Sequence, residues 1–188
     1  MHRSLGRLLV VGGLAVLFAA QVGAQSMAKL GGPVVDIDGL KSQVYEHWKV
    51  NKAAEPFVYS FALPKDLKSD KDMAELVIYP TTKSGDDVVK DWKDRFTPPK
   101  GFKIDEVARG EKFKVGKADV TKLLVMGTYA STAKPDDSPS EAKKLENQRL
   151  LGYIIETPNK KFVVRLTGPF STVGLHVPDT DKWIRALK

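Results

Sequence analysis

RLLGYIIETPNKKFVVRLT, residues 149–167, is the stretch on which the fold turns. Two runs rich in Leu, Ile, Val and aromatic residues, Arg149 to Thr157 and Lys161 to Thr167, flank the turn-forming Pro158-Asn159-Lys160. That pattern predicts a tight antiparallel hairpin. Strand alternation sends Phe162 inward and the neighbouring lysines to water, and the same reading places Phe113 between Lys112 and Lys114.

Working upstream, Ile104 to Tyr129 reads as two strands about a Val115-Gly116-Lys117 turn. Leu123, Val125, Gly127 and Tyr129 fall on one face and Leu124 and Met126 on the other. Apolar residues on both faces predict a central strand. Earlier still, Phe57, Tyr59, Phe61 and Leu63 alternate with Val58, Ser60 and Ala62 until Pro64, and a further strand covers Ala74 to Tyr79. Between Ser84 and Phe96 the period changes to that of a helix. Ser84 and Asp87 make a capping pair, Asp86 and Asp87 suit the positive helix end, and Val88, Val89, Trp92 and Phe96 form one apolar stripe before Thr97-Pro98-Pro99 stops it. A last helix is predicted over Asp179 to Leu187, with Trp183, Ile184 and Leu187 on one side. Leu40 to Trp48 fits a helix or a loop ending in a strand. Strands, helix, strands, helix, without internal repeats, define an α+β class: an antiparallel β-sheet with helices packed on it.

Around this domain, placed at 40–188, lie three segments of other character. Arg3 and Arg7 precede an apolar run from Leu8 to Ala20 and then Val22-Gly23-Ala24. This is the layout of a Sec-type signal peptide over 1–24, too short in its apolar part for a spanning helix. Cleavage would leave no stable membrane insertion and a periplasmic or secreted product. A Gly-rich stretch over 25–39 reads as a flexible lead. Ser131 to Gln148, polar and charged, reads as a long exposed loop with a helical turn in Ser140 to Leu145.

Composition narrows the function classes. The chain has 188 residues and no cysteine, which excludes disulfide staples, thiol nucleophiles and thiolate metal sites. The net charge of +7 includes Arg3 and Arg7, and without them 28 basic face 23 acidic residues. Lysines scattered among acids, as in Lys65-Asp66-Leu67-Lys68-Ser69-Asp70-Lys71-Asp72, mark a solvated face, so nucleic acid is not an expected partner.

Candidate chemistry is sparse. Beyond residue 24 the only histidines are His47 and His176, and Glu46-His47 would support a site only if His176 came near. Asp36-Ile37-Asp38-Gly39 starts like a calcium loop but lacks its later ligands, and reads as a turn before Leu40. Asp136-Asp137 sits in the polar loop. Ser171 has no G-x-S-x-G elbow and only His176 as a nearby base. No residue is therefore assigned as catalytic, cofactor-binding or metal-ligating, and no cofactor is expected.

The ordered motifs "AELVIY" (74–79), "WKDRFTPPKG" (92–101), "EKFKVGKADVTKLLVMGTY" (111–129) and "FVVRLTGPFSTV" (162–173) resemble an uncharacterised family of small secreted bacterial proteins. The hairpin ending in "RLTGP", followed by an amphipathic helix, is similar to the PsbP and Mog1 type of α/β/α sandwich. Tyr45-Glu46-His47-Trp48 departs from that type, which enters the sheet through a proline. The resemblance implies an accessory or binding module and carries over no active site. The resulting expectation is an exported, non-enzymatic binding or accessory module of the cell envelope, its partner an envelope protein or polymer. The alternatives are a cofactor-free hydrolase acting on an envelope polymer through His176, Ser171 or a carboxylate, and a structural envelope component.

Overall fold

The computed structural model describes residues 29–66, 71–132 and 142–188. Residues 1–24, read as a signal peptide, Asp136-Asp137 and the middle of the polar loop lie outside the described residues. In chain order the elements are β1 (Leu30–Ile37), β2 (Leu40–Tyr45), β3 (Lys49–Val50), β4 (Tyr59–Leu63), β5 (Ala74–Thr81), α1 (Gly85–Asp94), β6 (Phe96–Thr97), β7 (Ala108–Val115), β8 (Ala118–Ser131), β9 (Lys143–Glu156), β10 (Lys161–Pro169) and α2 (Phe170–Arg185).

The predicted hairpin forms the centre. β9 and β10 pair antiparallel from Lys161 opposite Glu156 to Pro169 opposite Gln148, and β10 pairs with β5 on its other side. The sheet runs β3-β4-β5-β10-β9-β8-β6, with β7 sharing the outer edge of β8 beside β6. β8 is interior, as its two apolar faces require. At Gly127 its register shifts against β9 and φ reaches +150°. A Cβ there would collide with the Thr97 carbonyl oxygen, so glycine lets β6 lie against β8.

Side-chain alternation divides the interior into two cores. Leu76, Ile78, Leu151, Tyr153, Ile155, Val164 and Leu166 point to one face, where they meet Val35, Ile37 and Val44 of the separate β1–β2 ribbon and Val173, Trp183 and Ile184 of α2. Val77, Leu123, Val125, Leu150, Ile154 and Val163 point to the other face, against Val88 and Trp92 of α1. Ser84 caps α1 by accepting the Asp87 N–H at 3.1 Å. The chain end is clamped as well, Lys41 N–H donating to the Lys188 carbonyl at 2.9 Å.

Three expectations need correction, and one open reading is decided. Residues 30–37, read within the flexible lead, are strand β1: Val35 and Ile37 are buried at alternate positions, and tertiary cover overrides the Gly-rich composition. Of the two readings open for Leu40 to Trp48, the helix is excluded, because Leu40–Tyr45 is a strand paired with β1. The loop is shorter than expected, since β9 extends back to Lys143 and pairs Leu145 with Tyr129, which also excludes a helical turn at 143–145. The last helix starts at Phe170 rather than Asp179, running through Gly174 and Pro178. Both residues disfavour helix locally, yet Val173, His176, Thr180, Trp183 and Ile184 recur at helical spacing and are buried, so packing decides.

Candidate functional site

The two faces are covered unequally. α1 has ten residues and spans only part of its face. Trp92 can lie close to the sheet because residue 152 is glycine, and a Cβ at Gly152 would overlap the indole. Arg165, in register with Gly152 on one side and Val77 on the other, projects to the same face. Beyond the helix a cleft of about 690 Å³ remains, walled by Val88, Asp91, Trp92 and Arg95, by the strand ends at Tyr79 to Thr82, and by Thr157 to Lys161 of the β9–β10 turn.

Its cations outnumber its acids: Lys83, Arg95, Lys160, Lys161 and Arg165 line it, against Asp91. Lys83 pairs with Asp91 at 2.8 Å, Lys161 with Glu156 at 3.3 Å, and the buried Arg95 donates from Nη1 to Thr132 Oγ1 at 2.7 Å. Arg165 differs, because its Nε is buried without a hydrogen-bond partner among the described residues. The turn that carries Lys160 is held in place, the Thr157 hydroxyl accepting the Lys160 N–H at 2.9 Å and approaching Asp38 Oδ2 at 2.6 Å. Asp36 and Asp38, considered as the start of a calcium loop, thus serve turns, Asp36 Oδ1 accepting the Gly39 N–H at 2.7 Å.

On the opposite face the two histidines do meet. His47, between β2 and β3, stacks on His176 of α2 with ring centroids 5.4 Å apart. Asp179 joins them, and one ligand-capable atom from each of the three lies within 4.8 Å of the others. His176 is buried and its Nε2 sits 2.9 Å from the Pro64 carbonyl. A carbonyl only accepts, so Nε2 carries the proton and Nδ1 keeps a lone pair. Burial holds both imidazoles below their ordinary pKa; for His47 the neighbouring His176 adds to the effect while Asp179 opposes it. Tyr45 stacks on His47 at 5.7 Å, its hydroxyl pKa raised by burial and then by Asp179.

Glu46, expected beside His47, is instead exposed and pairs with Lys29 at 2.9 Å. The acid that reaches the imidazoles is Asp179, three residues after His176. That spacing signals a shared helix face, but it is unreadable when the helix is started at Asp179. Ser171 is exposed on the first turn of α2, about 140° around the helix from the buried His176. Phe162 is buried in the α2-side core, and Phe113 packs at its margin beneath the Arg185 guanidinium, 3.8 Å from the ring centroid.

No family model and no curated protein matches the chain. Among solved structures, a Pseudomonas aeruginosa protein of unknown function, PA94, is similar at 15% identity and a TM-score of 0.46, over 84% of this chain and 97% of that one. Among the described residues no helix is long and apolar enough to cross a membrane.

Proposed function

We propose that this chain is an exported, non-enzymatic binding or accessory module of the bacterial cell envelope, built as a PsbP/Mog1-like sandwich, whose α1-side cleft takes an anionic group of an envelope protein or polymer. The observation that carries the reading is Arg165: a buried Nε without a partner costs about 1–3 kcal/mol unless something supplies an acceptor. A carboxylate or phosphate in the cleft would do so once the half-buried Arg165 side chain turns its Nε edge towards it. Trp92 offers an apolar wall beside it, and Lys160 adds a solvent-facing charge. The signal-like pattern of residues 1–24 supports an envelope location.

A carboxylated polysaccharide, polygalacturonate, tests this with neutral dextran as control. The protein is expected to bind the former, less tightly as salt rises, with Arg165→Met weakening it about tenfold or more. Equal binding by the Arg165→Met variant, or equal binding to dextran, would overturn the reading.

A further inference from the structure

We propose that His47, His176 and Asp179 form a binding site for a borderline divalent transition-metal ion, Zn²⁺ being the type case. Two imidazoles and one carboxylate are a nitrogen-rich donor set of the kind that selects Zn²⁺, Cu²⁺ or Ni²⁺ over Ca²⁺ and Mg²⁺, which prefer all-oxygen cages. The set comes from two elements: His176 and Asp179 project from one face of α2, and His47 reaches them from the corner after β2.

The outer contacts fit as well. Metal-bound histidines donate their other ring N–H to a carbonyl or carboxylate, which fixes the ring and frees the ligating nitrogen. His176 already does this through Nε2 and the Pro64 carbonyl at 2.9 Å. Ligand atoms around a tetrahedral Zn²⁺ stand about 3.4 Å apart, given bond lengths near 2.1 Å. The present separations, within 4.8 Å, close to that with modest side-chain rotation. His47 and Asp179 are only half-buried, so an ion can enter from solvent, and three protein ligands leave a fourth position for water or a partner's side chain. The site lies on the opposite face from the Arg165 cleft and stands or falls independently of it.

The ion would clamp the β2–β3 corner to α2 and stabilise the fold by mass action. The test is calorimetric titration of the exported protein, purified without a histidine tag, with ZnCl₂, alongside thermal unfolding with and without the ion. Expected are one-to-one binding, a raised Tm, no comparable effect of Ca²⁺ or Mg²⁺, and affinity reduced more than about tenfold in His47→Ala and in Asp179→Asn. Both substitutions are at half-exposed positions, which separates loss of the site from misfolding that His176→Gln could cause. Absence of saturable binding, or binding unchanged in both variants, would overturn the proposal.

Discussion

The two faces of the sheet bury similar side chains but are finished differently. On the α2 side, a sixteen-residue helix and the β1–β2 ribbon together close over Trp48, Trp183, Phe61 and the strand residues between them. On the α1 side, a ten-residue helix seats one tryptophan on a glycine and leaves the sheet end uncovered. The difference teaches where stability and recognition separate. The closed face supplies most of the apolar burial, whereas the open face gives up part of it and lines a cleft with cations around Arg165.

On that division, Trp183→Ala causes the largest loss. Its indole is buried between α2 and Trp48, 5.4 Å from the latter, so truncation is expected to cost about 5 kcal/mol in urea unfolding. Trp92→Ala should cost less, about 3 kcal/mol, because its cavity adjoins the cleft and can fill with water. A cost for Trp92 above that for Trp183 would break the comparison. Next comes Gly152→Ala, where the added methyl must displace the Trp92 ring; about 1–3 kcal/mol is expected, together with altered Trp92 fluorescence. Ser84→Ala removes the α1 cap and should cost about 1 kcal/mol in the same assay.

The histidines set a pH dependence on the closed face. Both have folded pKa values below the unfolded value near 6.5, so the unfolded chain binds more protons just below that pH. Their contribution is therefore full above about pH 6.5 and lost as pH falls towards the folded values, with Asp179 and Tyr45 as their ionisable neighbours. His47→Gln should flatten the change in Tm between pH 7 and 5. The smallest stability effect belongs to Arg165→Met: relief of the unpartnered Nε is offset by lost packing of the longer side chain, so unfolding should stay within about 1 kcal/mol of the parent while anion binding weakens.

Much of the architecture could be read from the residues because period and turn chemistry agree there. The β9–β10 hairpin announces itself through Pro158-Asn159-Lys160, and α1 through Ser84, Asp87 and the Val88/Trp92 stripe. Where local propensity and tertiary packing conflict, the sequence misleads. Gly31-Gly32-Pro33 looks like a loop and begins a strand, and Gly174 and Pro178 look like breaks and sit inside α2. The sites were harder still. The cleft joins Trp92 to Arg165 across more than seventy positions, and nothing local marks Gly152 as the seat of the indole. His47 and His176 were visible as rare residues, but their partner Asp179 emerges only once α2 is drawn at full length.

The chain has three tryptophans, Trp48 and Trp183 on the closed face and Trp92 on the open one, so their indole N–H signals report on the two faces separately. The most direct test is an NMR titration of the ¹⁵N-labelled protein with short galacturonate oligomers. Shifts confined to the Trp92 indole and to the amides of Gly152, Lys160 and Arg165, with Trp48 and Trp183 unmoved, are the predicted result. Saturable shifts centred on Trp48 or Trp183, or none at any of the three, would contradict the account.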